Sequence, residues 1–592
     1  MKPMRNWRMR ETIFPSAHEA LAVFPELLRP FLYQRGFIDE SSARSFLEPD
    51  YERDLHDPFL MKDMDRAVAR IKQAIETGEK IIIFGDYDAD GIPGAVILTS
   101  FFNKINYSRY EVYIPDRHEE AYGLNVEAII SFAKSGAALL ITVDCGVSNH
   151  AEITFANSLG VDVIVTDHHT VPEMLPPAFA ILNPKRLDDE YPYKMLCGAG
   201  VAFKLVQALA REFVSPRSSG LARTVLANGW ALPLTGWEKW LLDLVAIATV
   251  ADMVPLTGEN RALVHFGLKV LRKSPRPGLV ALCRALKLHQ PLITVDDIAF
   301  LIGPRLNSAS RMAHGSQAYR LLTTTDPAEA EALADVLEGN NHARRASVNA
   351  VLLAVEAFVE ANETKNEVLV YGDPSWSLGV LGLAASRLVE KYQRPVFLWS
   401  KNGHGEIKGS CRANGSINVV ELMQTAGGAD FFINFGGHIN AGGFSLAGHK
   451  VAELAERLTG AYRALSVETD KDELILDAEL PLTAVTAETA CLLDRLGPFG
   501  LENPKPVFLF RHIPSVTAKL FGKDRTHLEL TLTDGEISRR AIGFFMSPTH
   551  FGATLISGQP IDLVATLEQS YWRGRPELRL RIIDCRLTDS GV

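Results

Sequence analysis

The sequence predicts an α/β protein of several domains: a parallel-sheet unit, a long connecting helix, a second α/β unit and a small terminal β-barrel. Three observations carry this. Between residues 80 and 169, β-branched apolar runs alternate with helical stretches, and each run closes on an acid: Ile81 to Phe84 before Asp86, Ala138 to Val143 before Asp144, and Val161 to Thr166 before Asp167. Pro327 to Asn362 is rich in Ala, Glu and Leu and carries a single glycine, Gly339. From about Glu468 onward helical pattern is scarce and short alternating strands dominate, as in His527 to Leu532 and Glu577 to Ile583. Strand–helix alternation builds parallel sheets covered on both faces, whereas closely spaced short strands favour a small barrel.

Taken in order, Ala17 to Leu32 reads as a helix, followed by a polar, Asp-rich connector. Asp63 to Ile75 places Met64, Ala67, Val68, Ile71 and Ile75 at helical spacing, with Gly78 as a stop. Gly94 to Phe102 is apolar enough for a helix packed on a sheet, and Tyr110 to Ile114 reads as another strand. Phe213 to Trp237, rich in Ser, Arg, Gly and Pro, reads as a loop or insertion. Leu241 to Ala251 is an apolar helix that ends on Asp252. In the second α/β unit, the strand Glu367 to Tyr371, the helix Val380 to Tyr392 and the strand Pro395 to Trp399 lead to a glycine-rich loop, Phe435 to Gly443. The sequence holds no internal repeat and no low-complexity segment.

At 592 residues the chain exceeds one hydrophobic core, and three or four domains of roughly 150 residues are expected. A hydrophobic content of 47% with 22% charged residues is ordinary for a globular protein. No apolar run reaches the roughly 20 residues of a membrane span, and Met1 to Arg8 lacks the apolar core of a signal peptide. A cytoplasmic protein is expected. Six cysteines without a C-x-x-C pair argue against zinc clusters and a disulfide framework. The net charge of -10 means that a polyanion would be bound through local basic patches and metal ions.

Chemistry concentrates in Asp86-Tyr87-Asp88-Ala89-Asp90-Gly91. Three carboxylates this close repel one another and resist desolvation unless paired or bound to a cation; hard oxygen ligands suit Mg²⁺ or Mn²⁺. A calcium loop is the alternative, but the twelfth position counted from Asp86, where such a loop needs Glu, is Ile97. The full ligand inventory is Asp86, Asp88, Asp90, Asp144, Asp167, His168, His169 and Asp252. Singly, a strand-end Asp can be a helix cap and a His an ordinary polar group. Four segments meeting at one edge of one sheet instead point to two metals ~3.5–4 Å apart, the arrangement used for displacement at phosphorus. Asp144, alone at its strand end, is the natural bridging carboxylate.

These residues resemble the DHH phosphoesterase superfamily, and within it the RecJ exonucleases. The resemblance rests on Asp86 to Gly91, Asp167-His168-His169 and Val250-Ala251-Asp252, with Tyr113-Ile114-Pro115-Asp116-Arg117, Gly200 to Leu205, Gly303-Pro304-Arg305-Leu306-Asn307, Gly436-Gly437-His438 and Gly497-Pro498-Phe499-Gly500. It covers roughly Glu52 to the C-terminus in consistent order. It implies an N-terminal segment (1–62), a DHH catalytic domain (63–325), a connecting helix (326–362), a DHH-associated domain (363–466) and an OB-fold (467–592).

The resemblance further implies Asp88 and Asp144 at one metal, with Asp86 joining or standing behind it. Asp90, Asp144, His168 and Asp252 fall to the other, and His169 lies near the scissile phosphate in a catalytic set with Asp167 and Asp144. It places Arg117, Ser410 and Arg412 around a 5′-terminal phosphate, Arg305, Asn307 and Arg311 on the strand backbone, and Gly437 and His438 against the substrate. An ion-pair network is the other reading of Arg305 and Arg311. In the barrel, Tyr571 to Arg575 and Lys519 to Arg525 would meet single strands, or supply barrel core. Pro93, Gly94, Gly442 and Ser377 depart from the family pattern without removing a proposed ligand.

The implied activity is a Mn²⁺- or Mg²⁺-dependent, processive 5′ to 3′ exonuclease that releases 5′-mononucleotides from single-stranded DNA in repair and recombination. The implied partners are a single-strand-binding protein and a helicase, and a monomer is expected. Two rivals stand beside it: a DHH phosphodiesterase of short oligoribonucleotides or cyclic dinucleotides, against which the terminal barrel counts, and a non-catalytic nucleic-acid scaffold, against which the retained carboxylates count.

Overall fold

A computed structural model describes residues 5–120, 122–213, 234–362, 366–401, 405–465, 473–522, 525–551, 555, 558–570 and 577–588. The expected insertion between Phe213 and Trp237 falls largely, and the aromatic run Tyr571 to Arg575 entirely, outside these residues. So do Lys523 and Asp524 within the basic run.

The strand β1 (Asn6–Met9) comes first, and the sheet of the first α/β unit follows: β2 (Lys80–Gly85), β3 (Tyr110–Tyr113), β4 (Ala137–Val143), β5 (Asp162–Thr166) and β6 (Ala180–Leu182). Their order is β3-β2-β4-β5-β6, and every pairing is parallel. Alternation along each strand feeds two separate cores. Ile81, Ile83, Leu139 and Ile141 point into one, shared with the helices Met64–Thr77, Gly91–Lys104 and Gly198–Glu212. Ile82, Phe84, Leu140 and Val163 point into the other. Burial on both faces is why these strands read as continuous apolar runs.

The helix Pro327–Asn362 has 36 residues, about 54 Å at 1.5 Å per residue. It belongs to two cores at once. Ala330, Leu333, Ala334 and Leu337 enter the core of the first α/β unit, and Val348, Val351 and Val355 enter that of the second. The first set falls at i, i+3, i+4 and i+7 and the second at i, i+3 and i+7, the stripe of a packed helix face. One rigid element therefore holds the two units in register.

The second unit is a mixed sheet, β10-β11-β9-β8-β7, built from β7 (Leu369–Gly372), β8 (Val396–Lys401), β9 (Ile407–Arg412), β10 (Asn434–His438) and β11 (Ala441–Leu446). The glycine-rich stretch is thus a β-hairpin, not a loop: Asn434 to His438 pair antiparallel with Ser445 to Ala441. At Gly437, with φ of 143°, a Cβ would collide with the Ala441 carbonyl, so the hairpin accepts no side chain there.

The terminal unit contains β12 (Glu473–Leu476), β13 (Ala478–Glu479), β14 (Phe508–Ile513), β15 (Ser515–Phe521), β16 (His527–Asp534), β17 (Ile537–Gly543), β18 (Ile561–Ser570) and β19 (Glu577–Leu587). The last seven form one sheet, in the order β13-β14-β18-β19-β17-β16-β15. The N-terminal residues join this unit instead of standing apart. β1 pairs parallel with β12, and Leu21, Phe24, Leu28, Phe31 and Leu32 share a core with Phe508, Phe510 and Leu563. The single helix expected over Ala17 to Leu32 is two, Pro15–Ala20 and Arg29–Gln34, because Pro25 offers no N–H between them. By contrast, residues 51–62 pack on the first α/β unit: the buried Lys204 ammonium donates to the His56 carbonyl at 2.7 Å and to Glu259 at 2.8 Å. Among the described residues, no helix is long and apolar enough to cross a membrane.

Phe31 is 1% exposed and meets Phe508 edge-on at 5.6 Å, a contact between the two ends of the chain. Phe31→Ala is expected to lower the stability of the terminal unit by about 3–5 kcal/mol, read as a shift in its denaturant midpoint. An unchanged midpoint would show that the N-terminal residues do not belong to that core.

Candidate metal centre

Parallel topology delivers the carboxyl ends of β2, β4 and β5 to one edge of the sheet, and the acids that follow them converge there. Asp86 follows β2, Asp144 follows β4, and Asp167-His168-His169 follows β5. Asp252 arrives from outside the sheet, at the end of the helix Leu242–Ala251. Three overlapping groups of donor atoms result, each within 4.8 Å: Asp86, Asp88 and Asp144; Asp90, His168 and Asp252; and Asp144, His168 and His169. Asp144 and His168 link the sets, with His168 Nε2 at 3.1 Å from Asp144 Oδ1, 3.6 Å from Asp252 Oδ2 and 3.7 Å from Asp90 Oδ2.

Local backbone geometry makes the convergence possible. Asp144 has φ of 63°, a left-handed conformation that turns its carboxylate back over the sheet edge and costs conformational energy. A Cβ on Gly198 would lie 2.5 Å from Asp144 Cβ, and one on Gly91 would lie 2.5 Å from the Asp86 carbonyl. Gly94, a departure from the family pattern, has a reason of the same kind: a Cβ there would stand 2.5 Å from Val143. Asp90 sits on the N-terminus of the helix Gly198–Glu212, accepting from the Gly198 and Ala199 amides at 2.6 and 2.7 Å. Asp88 Oδ1 accepts from the amides of Asp90 and Gly91 at 2.8 and 3.1 Å.

Asp167 is occupied differently. Its oxygens take the amides of Val147, His168 and His169 and the His169 Nδ1, at 2.7–3.0 Å. Both oxygens are thus engaged in orienting the two histidines and the neighbouring loop.

Electrostatics sorts these groups. Burial, then repulsion from Asp88, raises Asp90 to about 6. Burial and Asp90 raise Asp252 to about 9. Asp86 and Asp144 are pushed well above the carboxylate range, by burial first and neighbouring acids second. Burial and His169 hold His168 down at about 3, so its imidazole is neutral, the form that coordinates metals. For His169, burial works downward, but the hydrogen bond to Asp167 prevails and raises it above the ordinary range. Asp86 Oδ1 and Asp144 Oδ1 are buried without a hydrogen-bond partner. Orphaned buried oxygens, hard donors and one neutral imidazole are the donor set that Mn²⁺ or Mg²⁺ takes.

Around this centre, guanidinium groups collect. Arg117 lies over the Tyr87 ring at 4.9 Å. Arg311 donates to the Gly379 carbonyl at 2.8 Å, and burial together with Arg117 lowers it to about 9. On β9, Arg412 donates to Ser410 Oγ at 3.0 Å; burial lowers it too. Asn307 faces inward, its Oδ1 accepting the Ala89 amide at 2.9 Å and so holding the aspartate loop. His438 is exposed on the hairpin and forms no ion pair with the carboxylates among the described residues.

Arg305 does not join the cluster. It is 5% exposed and clamped by Glu338 of the long helix at 2.8 and 3.2 Å, so the ion-pair reading of this residue prevails over strand contact. Tyr122 is a residue that sequence reasoning missed. Its hydroxyl donates to the Asp144 carbonyl at 2.9 Å and stands 3.0 Å from His169 Nδ1; its one visible signal was the following Gly123. Lys185 also faces the centre: burial lowers it, while Asp252 and Asp167 oppose the effect.

Residues 80–249 match the model of the DHH family, N-terminal domain, residues 365–464 the DHHA1 domain, and residues 476–584 the RecJ OB domain. The chain is 34% identical to the single-stranded-DNA-specific exonuclease RecJ of Bacillus subtilis (strain 168), covering 97% of this chain and 69% of that protein. It is also 34% identical to its namesake in Salmonella typhimurium, covering 99% of both. Among solved structures it resembles RecJ in complex with Mn²⁺ from Thermus thermophilus, with a TM-score of 0.79, 29% identity and coverage of 99% of this chain and 80% of that one.

A raised carboxylate favours the folded state only while protonated. Its contribution is present below the unfolded value near 4 and is lost as pH rises through the folded value, which for Asp252 is about 9. The metal-free protein is therefore expected to lose stability relative to its Asp252→Asn variant as pH rises from 5 to 9, followed by thermal melting at each pH. A constant difference would contradict the electrostatic account.

Proposed function

Because the chain belongs to the RecJ family of single-stranded-DNA-specific exonucleases, we propose that it hydrolyses single-stranded DNA from the 5′ end to 5′-mononucleotides, using two Mn²⁺ or Mg²⁺ ions. The observation that carries the reading is the pairing of two features: a carboxylate cluster with orphaned buried oxygens, and a set of guanidiniums beside it.

Asp86, Asp88 and Asp144 would hold one ion, and Asp90, Asp144, His168 and Asp252 the other. Bound there, the cations supply the Lewis acidity for in-line displacement at phosphorus. The protein's own groups do the positioning. Asp167 fixes the His169 ring through Nδ1 at 2.8 Å and favours its protonated form, in which Nε2 would be a donor to a phosphate oxygen. Tyr122 ties down the strained Asp144 carbonyl, so the Asp144 carboxylate keeps its direction. Asn307 holds the Ala89 amide and with it the spacing of Asp88 and Asp90.

Arg117, Arg412 and Ser410 would take the 5′-terminal phosphate, because guanidinium forks match phosphate oxygens. Arg311 adds charge, and the exposed hairpin around Gly437 and His438 would flank the strand. A terminal phosphate held at a set distance from the metals makes the first phosphodiester the one cleaved, which is exonucleolytic action with 5′ polarity. The RecJ OB match over residues 476–584 favours long single strands over dinucleotides. A monomeric state, a cytoplasmic location, and partnership with a single-strand-binding protein and a helicase in repair and recombination belong to the same reading and rest on the family alone.

Digestion of end-labelled strands tests it. Asp144→Ala is expected to reduce kcat at least ~10³-fold with Mn²⁺ or Mg²⁺, while Arg412→Ala mainly raises KM for 5′-phosphorylated strands and narrows their advantage over 5′-hydroxyl ends. Undiminished digestion by Asp144→Ala protein would refute the centre. Cleavage from the 3′ end would refute the polarity.

A further inference from the structure

The guanidinium cluster does not stop at the residues assigned to the terminal phosphate. Arg311 also feels Arg344 of the long helix, and Arg344 in turn stands among Arg345, Arg387 and Arg305. Arg387 lies on the helix Leu378–Tyr392, whose Gly382 packs so closely on the Arg412 guanidinium that a Cβ would be 2.7 Å from it. Five residues further along that helix, Arg387 is about 7.5 Å beyond Gly382 along the axis. The two helices share one core through Val348, Val351, Val380 and Ala384. Arg344, Arg345 and Arg387 therefore sit on adjoining helices immediately past the terminal-phosphate cluster.

Like charges held together without partners need an anion. Among the described residues, Arg345 and Arg387 make no ion pair and are exposed, and Arg344 reaches only the amide oxygen of Asn341, at 2.8 Å. Glu338, whose charge Arg345 feels, is already engaged by Arg305 at 2.8 Å and His342 at 3.1 Å. A second observation points the same way. Asn341 is fully buried, its oxygen is taken by Arg344, and its Nδ2 has no hydrogen-bond partner, leaving a spare donor on the residue that holds the Arg344 guanidinium. In a chain of net charge -10, such a concentration of unneutralised cations marks a place for a multiply charged anion.

We propose that Arg344, Arg345 and Arg387, with Asn341, form a polyphosphate subsite adjoining the terminal-phosphate cluster, which takes the additional phosphates of a 5′-triphosphorylated strand. The assignment of the terminal-phosphate cluster on which this rests is that of the proposed exonuclease. The shared chemistry is a linear chain of phosphates, whether attached to a strand end or free, and two measurements separate the sources.

Sodium tripolyphosphate titrated calorimetrically into metal-free protein is expected to bind at one site per chain, at least tenfold more tightly than orthophosphate. That affinity should fall at least tenfold in the Arg344→Gln/Arg387→Gln double variant and measurably in Arg387→Gln alone, an exposed position. In digestion assays, the ratio of KM for 5′-triphosphorylated to 5′-monophosphorylated strands should rise at least tenfold in the double variant. Tripolyphosphate affinity equal in wild-type and variant protein would overturn the subsite. So would tripolyphosphate binding with an unchanged KM ratio, which would mean an adventitious ion only. If the wild-type protein digested neither strand, the exonuclease reading would fail, and calorimetry alone would decide the subsite.

Discussion

Three buried carboxylates and a fourth that is half-buried, brought to one sheet edge, are the constraint on which the structure turns. Asp86, Asp90 and Asp144 are each at most 4% exposed, Asp252 joins them, and among the described residues no lysine or arginine forms an ion pair with any of the four. Such a cluster persists only because the fold over-determines it. β2, β4 and β5 run parallel, so their ends coincide; Gly91 and Gly198 remove the side chains that would separate the loops; and helix amides hold Asp90. Raised carboxylates are the residual strain of this arrangement, and divalent cations are its natural relief.

The opposite charge is kept apart by the same architecture. Carboxylates line the catalytic sheet edge, whereas the arginines come from the loop after β3, the helix Gly303–Met312, the long helix, the helix Leu378–Tyr392 and β9. A single 36-residue helix packs into both units, so their separation is set by a rigid rod and not by a hinge. Under the proposed function this spacing acts as the ruler between the terminal phosphate and the metals. The terminal unit is coupled to the catalytic one through Arg261, which donates to the Gly497 carbonyl at 2.5 Å, and through Lys505, paired with Asp296.

Much of this was legible in the sequence because burial on both faces leaves an unmistakable apolar run, and an acid closing each of three such runs is a local signal. The long helix was legible over its whole length because it is rich in Ala, Glu and Leu and carries one glycine. What escaped was non-local. Nothing near Phe31 shows that its partner is Phe508, and nothing near Arg305 shows Glu338 waiting on another helix. The glycines of residues 436–443 look like a loop because β-propensity is low, yet paired strands override it. Tyr122 carries no motif; its role exists only because the loop after β3 folds across to Asp144. Sequence thus revealed the acids and imidazoles of the cluster, with Asp167 and Asn307 among them, and concealed the long-range contacts of Tyr122 and Arg305.

The central claim is that Asp144 stands between two cations. Anomalous diffraction from crystals soaked in Mn²⁺ tests it directly. The account predicts two peaks roughly 3.5–4 Å apart, one beside Asp86 and Asp88, the other beside Asp90, His168 and Asp252, with the Asp144 carboxylate between them. A single peak, or peaks away from Asp144, would contradict it.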